Sequence, residues 1–217
     1  MTLVAENTIS PGDDIAARIA AQTLTKRGTD YASEVRRLLD AALKVIGEQG
    51  TTARARVADI VVAAGLSNEA FYRYFPSKDA LVAALLEDGT ERLAHYIEHQ
   101  MGKETTPEGK VRRWVEGVLS QTREKAAATT LAVIWNGANV GTGLRAGRHN
   151  ASVPLAALLR QPFAALGSSF PEMDASLVAH ATLGKVSDYL WAGKRPTRDE
   201  IEHLTQFCIN AARGTPR

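Results

Sequence analysis

Every apolar run in this chain repeats at three- and four-residue spacing, and none alternates with period two over a useful length. That spacing builds one-sided helices and leaves no strand to pair, so the expected fold class is all-α. The chain has 217 residues with 45% hydrophobic and 23% charged side chains, which excludes wholesale disorder. No apolar run reaches the roughly 18 residues a membrane span needs, and MTLVAENTISPGDD lacks the basic start and apolar core of a secretory signal. With Cys208 as its one cysteine, the chain can form no intrachain disulfide and no cysteine zinc cluster. These features predict a cytoplasmic protein with no membrane partner.

Residues 1–30 read as a partly disordered arm, rich in Thr, Asn, Ser, Pro, Gly and Asp at its start. A short helix over 14–25 ends at Lys26-Arg27-Gly28. Val35, Leu38, Leu39, Ala42, Val45 and Ile46 then mark a helix over 32–49, closed by Gly50. A two-turn helix over 57–64 follows, with Val57, Ile60, Val61 and Ala64 as its stripe. Ala64-Gly65-Leu66-Ser67 leads into a second short helix over 68–74, which Ser67 can cap and Pro76 stops. Ser77 caps a long helix running to about Met101. Beyond it, Thr106-Pro107 opens a helix, another lies between 124 and 136, and glycine-rich 136–150 includes a loop. Residues 153–166 form a helix kinked at Pro162, 174–191 form another, and Thr197 to Glu200 is a capping box opening the last.

The pair of short helices joined at Gly65 carries the functional reading. A helix-turn-helix needs a bracing helix, a tight turn, and a second helix with polar side chains at its N-terminal end to meet base edges. Asn68 and Glu69 stand there: an asparagine can pair with adenine and a carboxylate can accept from cytosine N4. Phe71 and Phe75 share one face and belong to the core, while Tyr72 and Arg73 lie on another and can reach phosphates. Lys78 sits in the first turn of the next helix, where a cation opposes the macrodipole; a phosphate there would reverse the sign. Net charge is only +2, so any DNA contact rests on a local patch, with Arg54, Arg56, Arg73 and Lys78 against Asp59 and Glu69. Each feature alone also fits two packed helices, an aromatic core and a solvated lysine.

Residues 35–86, VRRLLDAALKVIGEQG and then VADIVVAAGLSNEAFYRYFPSKDALVAALL, resemble the DNA-binding domain of the TetR (tetracycline-repressor-like) family. The resemblance implies three N-terminal helices for DNA over 31–77 and a larger helical ligand-binding and dimerisation domain over 78–217. It implies a homodimeric transcription factor, by family habit a repressor, that reads a palindromic DNA operator and is released by a small molecule. Carried over by position, Tyr72, Tyr74 and Lys78 resemble the phosphate-contacting residues, and Asn68 and Glu69 fall at the base-reading positions; Ser67 is also expected at the DNA. Two departures stand out: Arg54-Ala55-Arg56 replaces the usual hydroxyl at the start of the motif's first helix, and Glu69 replaces a small residue. The last two helices would pair with their copies in a dimer, although core packing explains their apolar faces equally well.

No acidic residue occurs between Lys125 and Pro171, a stretch rich in leucine and aromatics with Arg145, Arg148 and Arg160. This suits an apolar cavity with a few cationic or amide groups such as Asn136, Asn139 and His149. The candidate lining is Trp114, Val118, Trp135, Asn139, Phe163 and Leu183, and the expected effector is apolar or amphipathic with an anionic head. The alternative is a plain helical core. Two rival functions remain: a helical adaptor without DNA binding, and a nucleotide-binding enzyme. Gly141-Thr-Gly143-Leu-Arg-Ala146 matches the dinucleotide fingerprint in spacing, but lacks the βαβ context and an acid about 20 residues on. His95 and His99 share a helix face without an obvious third ligand, so no metal or cofactor is expected and no catalytic residue is assigned.

Overall fold

The computed structural model describes residues 11–137 and 143–213, with side chains for residues 28, 30–137 and 152–213. These form helices α1 (Pro11–Gln49), α2 (Val57–Ala64), α3 (Asn68–Tyr74), α4 (Lys78–Met101), α5 (Pro107–Leu119), α6 (Glu124–Gly137), α7 (Gly143–Ala165), α8 (Pro171–Ala192) and α9 (Arg198–Arg213), with a short 3₁₀ turn, Ser120–Thr122, before α6. Among the described residues there is no strand, and the fold class is all-α, as the periodicity requires.

Two hydrophobic interiors share the chain. The smaller joins Leu38, Ala42 and Ile46 of α1, Ile60 and Val61 of α2, Phe71 of α3 and Leu81, Val82 and Leu85 of α4. The larger joins Ile97 and Met101 of α4 to α5, α7, α8 and α9 around Trp114, Leu159 and Phe163. The 24-residue α4 therefore serves both. Ala132 and Val133 of α6 also enter the smaller interior, which locks α6 onto the N-terminal helices. Where α5 crosses α4, a Cβ on Gly117 would lie 2.5 Å from Ile97 Cγ1, so the close approach requires glycine.

The helix ends follow the local chemistry. Ser67, Ser77 and Thr106 each accept from a backbone N–H three residues on, at 3.1 Å in all three cases. Thr197 and Glu200 form the reciprocal capping box: Thr197 N–H donates to Glu200 Oε2 at 2.7 Å and Glu200 N–H to Thr197 Oγ1 at 3.2 Å.

Two boundaries differ from the sequence expectation. No break occurs at Lys26-Arg27-Gly28: α1 runs unbroken from Pro11, so residues 11–30 of the expected arm are helix, and only residues 1–10 of it lie outside the described residues. One glycine costs about 1 kcal/mol in a helix interior, too little to interrupt a long helix. Likewise α7 begins at Gly143, inside the stretch expected to hold a loop, and contains both Pro154 and Pro162. A proline removes one backbone donor, which a helix packed along α8 and α4 tolerates.

Cys208 is fully buried on α9, and burial pushes its thiol up to about 11. At pH 8 only about one molecule in a thousand carries the reactive thiolate. Maleimide labelling should therefore be slow in the native protein and fast in denaturant; equal rates would show that α9 opens readily.

Candidate nucleic-acid interface

The turn between α2 and α3 is built around Gly65. Its φ of 61° is left-handed, and Leu66 N–H donates to Val61 O at 2.9 Å while Gly65 N–H donates to Val62 O at 3.1 Å, closing α2 with a Schellman motif. Arg37 of α1 then clamps this end: its Nη2 donates to Ala64 O at 2.6 Å and to Gly65 O at 3.0 Å. A cation at a helix C-terminus is favourable. A Cβ on Gly65 would lie 3.0 Å from the same nitrogen. Sequence reading missed Arg37, because an arginine on the polar side of α1 carries no sign of the helix end it meets.

The turn sets α3 with its apolar face inward and its polar face out. Phe71 is completely buried, with Tyr72 edge-on against it at 5.1 Å between ring centroids. Ser67, Asn68, Glu69, Tyr72 and Arg73 are exposed, Tyr72 by 58%. Arg56, at the start of α2, is exposed and makes no side-chain cap. Asn68, Glu69, Tyr72 and Arg73 thus share one outward ridge, with Ser67 spent on the cap at its end.

Three other predicted contacts meet the protein's own groups, Tyr74 and Lys78 half-buried and Arg54 exposed. The Tyr74 hydroxyl donates to Glu34 Oε2 of α1 at 2.6 Å; burial, then this hydrogen bond, raises the phenol above its ordinary range, so it stays a neutral donor. Glu34 also lies 3.7 Å from Arg73 Nη1. Lys78 is half-buried and donates from Nζ to Ala55 O at 3.2 Å, so a backbone carbonyl answers the cation placed against the α4 dipole. Arg54 stacks its guanidinium 5.3 Å from the ring centre of Trp135 on α6. This brings together a residue expected at DNA and one expected at a ligand.

Ala55 lies at the centre of this cluster and is itself buried. Its N–H donates to Asn136 Oδ1 at 3.2 Å, and Asn136 Nδ2 donates to Ala132 O at 3.0 Å. The segment leading into α2 is thus pinned to α6 by Asn136 and Trp135 and to α4 by Lys78. Asn136, expected near a ligand, instead spans the two interiors.

A cavity of about 740 Å³ lies beside this junction, between α4, α6, α7 and α8, with Leu43 of α1 at its edge. Leu85, Val133, Leu155, Val186 and Leu190 form its buried wall. Of the six residues expected to line a ligand site, Leu183 reaches it. Trp114, Val118 and Phe163 are fully buried in the larger interior, Trp135 meets Arg54, and Asn139 lies outside the described residues. Arg160 pairs with Glu172 at 2.7 Å, while the side chains of Arg145, Arg148 and His149 lie outside the described residues.

The remaining chemistry is sparse. His95 and His99 are exposed, and His95 Nδ1 lies 3.8 Å from Glu98. Among the described residues, no group of three or more His, Cys, Asp or Glu is placed to hold a metal. The glycine fingerprint starts at Gly141, outside the described residues, and continues into α7; among the described residues the element before it is helix α6, not the strand that fingerprint needs. Among the described residues no helix is long and apolar enough to cross a membrane.

The tight turn, the buried brace of α2 and the outward polar face of α3 define a helix-turn-helix protein with a helical C-terminal body. Residues 38–85 match the family described as bacterial regulatory proteins, tetR family. A curated relative, the uncharacterized HTH-type transcriptional regulator YvdT of Bacillus subtilis strain 168, is 39% identical over 67 residues, covering 31% of this chain and 32% of the relative. That alignment spans about a third of the relative's length. Among solved structures, a TetR transcriptional regulator from Rhodococcus sp. RHA1 superposes with a TM-score of 0.61 at 17% identity, over 85% of this chain and 97% of that one. The transcriptional regulator FadR from Bacillus subtilis, in complex with stearoyl-CoA, does so with a TM-score of 0.57 at 18% identity, over 80% and 95%. At these identities the superpositions speak for the fold. Residues 38–85 thus match the tetR family of bacterial regulatory proteins, and over the rest of the chain the likeness is one of fold.

Proposed function

We propose that this chain is a homodimeric transcriptional repressor that works in the cytoplasm, holds a palindromic operator through α3, and is released by an apolar or amphipathic small molecule bound in its C-terminal body. The observation that carries the reading is the exposed ridge of Asn68, Glu69, Tyr72 and Arg73 on a braced α3. Such a helix can enter a major groove while its flanks meet phosphates.

Two further features support the finer parts. The 740 Å³ cavity falls within the range of small-molecule sites, and FadR binds stearoyl-CoA on the same fold. Phe170, just before α8, and Met173 and Leu177 on it are each more than 60% exposed, and Phe207 of α9 is also exposed. An apolar stripe of this kind suits a self-complementary contact between two copies. A dimer then presents two α3 helices to half-sites about one helical turn, roughly 34–36 Å, apart.

Sites selected from genomic fragments by the purified protein test the reading in a gel-shift series. Binding should weaken steeply with salt. Tyr72→Ala should lower affinity about tenfold on every sequence, the cost of one hydrogen bond to a charged oxygen. Asn68→Ala should relax preference at a single base pair, worth about 1–3 kcal/mol of discrimination. Failure to retard any selected fragment at low salt would return the chain to a helical adaptor.

A further inference from the structure

The composition of the cavity narrows what it takes. Its buried wall is aliphatic, whereas its exposed side carries Arg92, Tyr96 and Lys125. None of the residues lining it is acidic. Arg92 is already neutralised by Asp88, whose carboxyl also accepts from Arg36 Nη1 at 2.8 Å. Burial works against that carboxylate, but the two arginines outweigh it and hold it below its ordinary range. Arg36 also feels Asp40, so the charges of this group balance, and among the described residues Lys125 is left as the unpaired cation on the cavity's exposed side.

Lys125 makes no ion pair among the described residues. It stands in the first turn of α6, where the helix dipole disfavours a cation. Gln121, on the 3₁₀ turn beside it, accepts from Thr130 Oγ1 through Oε1 at 3.2 Å, which leaves its amide N–H groups to donate. An ammonium and an amide donor thus flank the open end of an aliphatic slot.

We infer that the cavity takes an amphiphile with an anionic head, seated by Lys125 and Gln121, whose hydrocarbon runs inward along Leu85, Leu155, Val186 and Leu190. A carboxylate head receives a charge-assisted bond from Lys125, and its charge restores a favourable balance at the α6 N-terminus. A cationic head meets the like charge of Lys125. A dodecyl chain with its head has about 14 heavy atoms; at roughly the 30 Å³ of a water in the liquid, it fills over half of the 740 Å³. This inference rests on the proposal that the cavity houses the effector.

The test compares dodecanoate, dodecanol and dodecylamine, each below its micelle concentration, by calorimetry and thermal shift on the full chain without DNA. Dodecanoate should bind at least about tenfold more tightly than dodecanol, and dodecylamine most weakly of the three. Lys125→Gln should remove the advantage of the acid over the alcohol while leaving the alcohol unchanged. Lys125→Arg should keep it. Equal binding of acid and alcohol, an unchanged acid affinity in Lys125→Gln, or no binding of dodecanoate overturns the inference. Dodecanoate that binds with this selectivity but leaves the operator complex intact supports the site and instead overturns release of DNA by its ligand.

Discussion

Trp114→Ala should destabilise the C-terminal body by about 3–5 kcal/mol in urea denaturation. The side chain is completely buried among α4, α5, α7 and α8, and its Nε1 donates to Leu155 O at 2.8 Å. Truncation empties a space the size of an indole and leaves that carbonyl unpaired, two penalties that add. Trp114→Phe keeps most of the packing and should lose less, about 1–3 kcal/mol. The pair also separates a structural tryptophan from one that touches a ligand. If Trp114→Phe left stability untouched and changed affinity for a cavity ligand, the placement of Trp114 in the interior would be wrong.

Asn136→Leu should weaken operator affinity in the free protein and shrink the effect of a cavity ligand on that affinity. Asn136 caps the buried Ala55 N–H, and leaving that donor bare costs about 1–3 kcal/mol. The loss falls at the junction of the two proposed functions, since α6 lines the cavity with Val133 and Ile134 and holds the entry to α2 with Asn136. An effector acts only through the difference in its affinity for the two states, a coupling that is commonly 5–150-fold. Asn136→Asp keeps an acceptor for Ala55 and should preserve more of the coupling than leucine. Measuring operator affinity with and without a cavity ligand decides the matter. An unchanged ratio in Asn136→Leu, with the protein folded by circular dichroism, would remove this hydrogen bond from the transmission route.

The N-terminal half was largely legible because its signals are local. Ser67, Ser77, Gly65 and Pro76 act on the backbone within a few residues, so the expected bounds of α2, α3 and α4 coincide with the observed ones. The start of α1 and of α7 was not legible. There, Gly28 and the glycines at 143 and 147 are overridden by the continuity and packing of long helices, which no short window reports. The exposed ridge of α3 could be read because helical geometry separates Phe71 from Asn68 and Tyr72 at once. The internal partners of Tyr74, Lys78 and Arg54 could not, since Glu34, Ala55 and Trp135 reach them from distant parts of the chain. The cavity was hardest. Aliphatic residues lining a void and aliphatic residues filling a core share one periodicity, so Trp114 and Leu183 look alike until the helices are packed.

The double duty of α4 bears on how a reading head can be exchanged between relatives. Leu81, Val82 and Leu85 complete the small interior, while Ile97 and Met101 complete the large one. A chimaera joined at the Ser77 turn would strip the transplanted head of one wall and give it a foreign surface in return. The workable seam lies inside the rod, between Leu85 and Ile97, where the two sets of neighbours hand over. Recombination in this architecture is therefore expected to favour crossovers within an unbroken helix over crossovers at a linker.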